Sequence, residues 1–163
     1  MRPFSEADIR ASFLNASLRE RKAALLPDDL DETAWESLDY LGWHDRKLAQ
    51  VAYVTVDLDG APASLMLRRA DAKPRGRAQC SWCADITLPN DVVMYIAKRA
   101  GEAGRRGDTV GVLVCENFEC SANVRKLPPS AYLGFDREAA RDRRIDALRE
   151  NVAAFARAVR DGR

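Results

Sequence analysis

The amino-acid sequence predicts an α+β fold, in which N-terminal helices precede antiparallel β-hairpins and a long amphipathic helix ends the chain. Apolar residues recur at helical spacing before residue 48, alternate with a period of two from Gln50, and return to helical spacing after Asp136. A chain of 163 residues has the size of one domain, so we expect residues 1–163 to share one fold. Within it we distinguish a helical segment (1–48), the hairpins (49–134) and the C-terminal helix (135–163).

Two helices are predicted in the N-terminal segment. In the stretch SEAD, Ser5 and Asp8 have the spacing of a capping box, which predicts a first helix from there to about Leu26. Over 35–41, large apolar residues recur at every third position, which predicts a second, shorter helix. Gly42 follows as the expected C-cap of this second helix.

Two β-hairpins are predicted in the middle of the chain. From Gln50 the period changes to two, with Ala52, Val54, Val56 and Leu58 alternating with Tyr53, Thr55 and Asp57, and an Asp-Gly turn connects this strand to a second one over 61–69. The run VVMYI and the later run TVGVLVC, which ends at Cys115, predict a second hairpin across the glycine-rich loop AGEAGRRGD. The stretch SANVRKLPPS then predicts one short helix, because a pair of prolines ends it.

The C-terminal segment carries one apolar stripe on an otherwise charged helix. Its apolar residues are spaced by three and four positions, at Ile145, Leu148, Val152, Phe155 and Val159. We expect this stripe to pack on the domain itself, with a partner groove or a coiled coil as the alternative.

All four cysteines occur in two close pairs, CSWC (Cys80, Cys83) and CENFEC (Cys115, Cys120). They could form a redox pair, a metal site, or a set of buried thiols without a ligand. The CSWC stretch lacks the proline usual in thioredoxin-type loops and the expected βαβ context, and redox chemistry would leave the second pair unexplained. Two close pairs fit one closed tetrahedral thiolate site, so the sequence favours zinc.

The placement of the two pairs indicates the kind of zinc site. The first pair lies in a short turn before a hairpin, and the second spans a strand end and the start of a helix. This is the layout of a treble-clef zinc finger. Four protein ligands leave no open coordination position for water or substrate, so we expect one structural Zn²⁺, no enzymatic activity and no small-molecule substrate.

Composition excludes several other classes of protein. No apolar run approaches the ~20 residues that a membrane-spanning helix needs, and the N-terminus lacks the continuous apolar region of a secretory signal. We therefore expect a cytoplasmic protein without membrane contact, whose thiols are kept free by the reducing cytosol. The single histidine, His44, has no nearby Ser or Cys nucleophile, which favours a capping or packing role for it.

Four stretches together resemble the FusB-type elongation factor G-binding proteins: AWESLDYLGWHDRK, CSWC, AGRRGDTVGVLVC and CSANVRK. The C-terminal domain of that family is a treble-clef zinc finger, often called the FBP domain. The likeness runs from about Ser12 to Lys126. It implies that the four cysteines are the zinc ligands and that the protein is an adaptor of the translation machinery. Family members bind elongation factor G, and the fusidic acid resistance proteins among them help to release it from the ribosome.

Basic residues near the zinc site are the predicted contacts with a partner. Elongation factors and ribosomal RNA are both acidic, so cations displayed on a rigid finger would attract either. The predicted binding residues are Arg105 and Arg106 at a hairpin tip, Arg125 and Lys126 at the end of the short helix, and Tyr132 just beyond it. Tyr132 would serve as an aromatic anchor unless it lies in the core, and Trp82 would either cover the zinc site or be exposed for contact.

Two other function classes stay open at the level of sequence. A nucleic-acid-binding zinc finger, in contact with ribosomal RNA, would use the excess of basic residues after position 50. A second basic run beside the first cysteine pair (Arg68, Arg69, Lys73, Arg75, Arg77) could contact phosphates, although no aromatic residues suited to base stacking are interleaved with it. A thiol oxidoreductase would instead need a reactive cysteine of low pKa.

Overall fold

The computed structural model describes residues 1–71, 76, 78–85 and 91–162. Its centre is a five-stranded antiparallel sheet in which each strand pairs with the next one along the chain. The strands are β1 (Leu41–His44), β2 (Val51–Leu58), β3 (Ala61–Arg69), β4 (Val92–Lys98) and β5 (Thr109–Cys115). The helices are α1 (Glu6–Ala11), α2 (Leu18–Ala23), α3 (Gly101–Arg105), α4 (Cys120–Arg125) and α5 (Arg137–Asp161). The predicted α+β class is confirmed.

Both predicted hairpins are present. In the first, β2 and β3 pair along their whole length from Val51 opposite Arg68 to Leu58 opposite Ala61. Asp59 and Gly60 both have positive φ, as a two-residue turn that follows the twist of the strands requires. In the second, β4 pairs with β5, and the glycine-rich connection contains the short helix α3.

The first predicted helix is wrong in its length, because two short helices replace it. Ser5 caps α1 and Ser17 caps α2, each through a complete capping box. Between them the chain is extended beside β3, where Phe13 pairs with Ser64. The backbone of this stretch therefore bonds to the edge of β3 and leaves the helix after Ala11.

The second predicted helix, over 35–41, is also wrong. Two 3₁₀ turns occupy this region, at Leu30–Glu32 and Trp35–Ser37, and Leu41 already begins the edge strand β1. Gly42 therefore lies inside a strand and is not a helix cap. A side chain is excluded there, because a Cβ atom on Gly42 would lie 2.5 Å from Cγ of Phe118.

The sheet separates two apolar clusters, so the fold has three layers. Alternate residues of β2 face opposite sides: Val51 and Tyr53 pack under the N-terminal segment, whereas Ala52 and Val54 face α5 and the cysteines. This alternation explains why almost all of β2 is buried.

Helix α5 packs on its own domain, as predicted. Asp136 caps its first turn by accepting a hydrogen bond from the backbone N–H of Ala139, and Gly162 in a left-handed conformation ends it. The predicted stripe faces the core, with Leu148, Val152, Phe155 and Val159 buried and Ile145 partly buried. The helix thereby covers the face of the sheet that also carries the cysteine cluster.

Candidate metal centre

The two cysteine pairs converge on one point, although 31 residues separate them along the chain. All four sulfur atoms lie within 4.8 Å of one another. The Sγ atoms of Cys80 and Cys120 are 3.6 Å apart, and so are those of Cys83 and Cys115. This separation is close to the ~3.8 Å edge of a tetrahedron built on Zn–S bonds of about 2.3 Å. All four side chains are buried, so the sulfur set is closed to solvent.

A tight turn holds the first pair. The backbone N–H of Ala84 donates to the carbonyl of Cys80, which brings Cys80 and Cys83 onto the same side of the turn. Ala84 has a φ of 52°, a left-handed conformation that a residue other than glycine seldom adopts. The N–H of Ser81 donates to the carbonyl of Leu113, so the turn is fixed to the outer edge of β5.

The second pair is held by the end of β5 and the start of α4. Cys115 is the last residue of the strand and Cys120 is the first residue of the helix. The loop between them turns back through Phe118, whose φ is 60° and whose N–H donates to the carbonyl of Cys115. The Phe118 ring stacks on Tyr95 with centroids 5.3 Å apart, which anchors the loop to β4.

The electrostatics of the cluster favour a cation. Hydrogen bonds from the thiols of Cys115 and Cys120 lower the pKa of Cys80, whereas the hydrogen bonds that Cys120 makes with Cys115 and Cys80 raise the pKa of Cys120. Four buried thiols without a metal therefore resist ionising together. A divalent cation at their centre would stabilise all four thiolates, and the side-chain amide of Asn123, whose nitrogen lies 3.8 Å from Sγ of Cys115, would donate toward one of them.

Trp82 lies inside the first cysteine turn and is buried, which decides between the two predicted positions. Its ring packs edge-on against Tyr40 and Phe155, with centroids 5.0 and 5.8 Å away. The side-chain amide of Asn151 in α5 donates to the carbonyl of Trp82. Trp82 therefore joins the metal centre to α5 and is not an exposed contact.

A comparison with models of known protein families matches residues 8–159 to the FBP C-terminal treble-clef zinc-finger. The chain belongs to this family. The match includes all four cysteines, and the closed set of buried sulfur atoms is the ligand set that a structural zinc ion requires. The predicted resemblance and the prediction of one structural Zn²⁺ are therefore confirmed.

The FBP fold also occurs in a solved structure, that of the fusidic acid resistance protein FusC. The two chains superimpose with a TM-score of 0.56 at 18% sequence identity. The similarity covers 76% of this chain and 53% of FusC, so this chain spans about half the length of FusC. At this identity the similarity shows a shared fold. A comparison with curated protein sequences finds no match.

The FBP fold divides the five predicted binding residues between two ends of the molecule. Arg105 and Arg106 lie in and just after α3, before the start of β5, whereas Arg125, Lys126 and Tyr132 follow the metal centre at its other end. Six residue steps along β5 separate these ends by about 20 Å. Arg105 and Arg106, predicted at a hairpin tip, thus lie away from the zinc site, and the contact of all five residues with a partner stays a prediction.

Arg125 has a partner inside the protein. Its guanidinium binds the carboxylate of Asp39, whose side chain is fully buried, and Arg149 of α5 donates to the same carboxylate at 2.9 Å. Lys126 is exposed, and its Nζ donates to the side chain of Asn123 at 3.0 Å. Tyr132 is 66% exposed and therefore does not lie in the core.

Sequence reasoning missed two features of the FBP domain. The buried Asp39 is one of them, and its position seven residues after the acidic stretch that ends at Glu32 carries no signal. The other is Leu133, fully exposed beside Tyr132, which the sequence presents as an ordinary apolar residue. Of the second basic run, Lys73, Arg75 and Arg77 lie outside the described residues. In the described part of the chain, no helix has the length and apolar character needed to cross a membrane.

Proposed function

We propose that this protein binds elongation factor G on or near the ribosome, as a zinc-stabilised adaptor without catalytic activity. The observation that carries the proposal is membership of the FBP treble-clef family over residues 8–159. The shared fold with the fusidic acid resistance protein FusC supports it. A closed four-sulfur site fits such a role, because it stabilises a surface without supplying an open coordination position.

The loop between α4 and α5 is the surface that we assign to this contact. It exposes Leu127, Tyr132 and Leu133, with exposed fractions of 45%, 66% and 102%. The ring of Phe135 packs edge-on against Tyr132, with centroids 5.3 Å apart. Exposed apolar and aromatic side chains that lie together are typical of a protein interface.

The metal centre would hold this loop in place. Helix α4 begins at the ligand Cys120, and its last carbonyls accept hydrogen bonds from Arg144 of α5. At the other end of the loop, Arg137 donates to the carbonyl of Pro128 at 2.7 Å. A loop fixed at both ends loses little conformational entropy on binding, which favours affinity. Lys126 supplies an exposed cation for an acidic partner.

Binding of the zinc-loaded protein to purified elongation factor G tests the proposal. We expect a 1:1 complex in isothermal titration calorimetry, and a loss of affinity of at least about tenfold for the Tyr132→Ala/Leu133→Ala variant. The matched control is Leu48→Ala, which removes a leucine that is 54% exposed outside this loop. A zinc-loaded, folded protein that does not bind the factor would overturn the proposal. Binding to ribosomal RNA in its place would favour the nucleic-acid alternative.

A further inference from the structure

A groove crosses the sheet on the face opposite α5. The N-terminal segment covers this face over β1 to β3, whereas the residues of β4 and β5 that point the same way are exposed, among them Ile96, Lys98 and Thr109. Register places them together, because Ile96 pairs with Arg68 of β3 and Lys98 pairs with Thr109 of β5. The resulting groove has a volume of ≈ 700 Å³.

The floor of the groove is apolar. Met66 of β3 is partly buried against the N-terminal cluster, and Ile96 of β4 is 37% exposed. Asn15 closes one end, since its side-chain amide bonds to the backbone of Met66 and to the carbonyl of Lys98. These three hydrogen bonds join β3 to β4 beyond the last paired residues and fix the width of the groove. The site is therefore preformed, which favours a ligand that brings apolar side chains.

The charges that line the groove are of two kinds. Each of the two carboxylates in the lining accepts a hydrogen bond. Glu20 accepts one from the backbone N–H of Ser17, and Asp71 accepts one from the side chain of Gln50. The cations Arg68 and Lys98 form no ion pair within the described residues, and both lie close enough to Glu20 to lower the pKa of its carboxyl, after the larger effect of Ser17. The groove therefore has an apolar floor and two cations that form no ion pair within the described residues, with the carboxylate of Glu20 nearby.

We infer that this groove binds an acidic amphipathic segment of a partner protein. Carboxylates of the segment would pair with Arg68 and Lys98, and one or two apolar side chains would pack on Met66 and Ile96. RNA fits less well, because none of the described residues that line the groove is aromatic and suited to base stacking, and two carboxylates lie beside the cations. The inference deepens the proposed function and rests on it only where the segment is taken to belong to elongation factor G.

The first experiment does not depend on elongation factor G. ¹⁵N-labelled, zinc-loaded protein is titrated with a short helical peptide of glutamate and leucine, with leucines at helical spacing, and separately with its lysine–leucine counterpart. We expect the acidic peptide alone to shift the amide signals of Arg68, Ile96 and Lys98. Shifts elsewhere, equal shifts from both peptides, or shifts of these amides by a ribosomal RNA fragment and not by the peptide would overturn the inference.

The second experiment connects the groove to the proposed partner. The variant Arg68→Glu/Lys98→Glu should weaken binding of elongation factor G at least about tenfold. A control variant with the same change in net charge, Lys47→Glu/Arg143→Glu, alters two exposed cations outside the groove and should bind as the wild type does. If both variants bind normally, the groove does not serve elongation factor G and the proposed function stands. If the wild type itself does not bind elongation factor G, the proposed function fails. The peptide titration then decides whether the groove binds an acidic segment of another protein.

Discussion

The carboxylate of Asp39 and the guanidinium of Arg125 form an ion pair across 86 residues of sequence, and the Asp39 side chain is fully buried. The backbone N–H of Asp39 also donates a hydrogen bond to the hydroxyl of Ser121 in α4, at 3.0 Å. With Arg149 of α5 on the same carboxylate, Asp39 joins the N-terminal segment to both C-terminal helices. The Asp39 carboxylate thus connects the N-terminal segment, α4 and α5.

We expect Asp39→Asn to destabilise the folded protein. The amide keeps the size of the side chain but removes the charge, so the hydrogen bonds from Arg125 and Arg149 weaken, at a cost of about 2–3 kcal/mol. Urea unfolding of the zinc-loaded protein measures this. The control is Asp146→Asn, which removes an exposed partner of Arg149 and should cost less than about 0.5 kcal/mol. Equal effects of the two changes would contradict the role given to Asp39.

Loss of one sulfur ligand should unfold the finger. Apparent zinc-binding free energies of about 10–16 kcal/mol equal or exceed the whole stability of a typical domain, about 5–15 kcal/mol. We therefore expect Cys83→Ser to lose stoichiometric zinc and most of its cooperative thermal transition, by metal analysis and circular dichroism. Ser81→Ala changes an exposed side chain of the same turn and should retain both. A Cys83→Ser protein with an unchanged melting temperature would refute the structural role of zinc.

Gly42→Ala tests the close approach of β1 to the loop between Cys115 and Cys120. The added Cβ would lie within 3 Å of three atoms of Phe118, a ring held between Tyr95 and Tyr40, so we expect a loss of about 1–3 kcal/mol in unfolding free energy. Gly76→Ala is the control, because no atom of the described residues lies within 4 Å of a Cβ there. Unfolding in urea separates the two, and equal stabilities would show that the loop moves aside at no cost.

Ala84→Gly should stabilise the metal centre. Ala84 has a φ of 52°, which costs a non-glycine residue about 1–2 kcal/mol, whereas glycine loses about 0.5–1 kcal/mol through its greater freedom in the unfolded chain. We expect a net gain of about 0.5–1 kcal/mol in the zinc-loaded protein. Ala154→Gly, at an exposed position inside α5, should have the opposite sign and cost about 1 kcal/mol. A loss of stability at both positions would argue against strain at Ala84.

The features predicted correctly from the sequence are those with strong local signals. The alternation in 52–58, the Asp-Gly turn and the stripe of α5 each specify their element, and the two cysteine pairs specify their ligand by chemistry alone. The break in the first helix was also visible, since the stretch SLRE repeats the spacing of a capping box at Ser17 and Glu20.

The remaining errors come from contacts that are distant in sequence. The spacing of apolar residues over 35–41 suits a helix, but pairing of Leu41 with Thr55 and the approach of Phe118 to Gly42 favour a strand. Arg125 was predicted as a surface cation because its partner, Asp39, lies 86 residues earlier. The open groove likewise depends on where the N-terminal segment stops covering the sheet, which periodicity does not reveal.

Helix α5 touches both ends of the molecule. Near its start, Arg144 donates to carbonyls at the end of α4, and near its end the carbonyl of Val159 accepts the N–H of Ala100, just before α3. A helix of 25 residues is a stiff rod about 37 Å long, and a rod that tilts at one end must move at the other. Because chelation of the metal should unfold the finger against which α5 packs, we expect it also to accelerate amide exchange at Ala100, whose hydrogen bond depends on the position of α5.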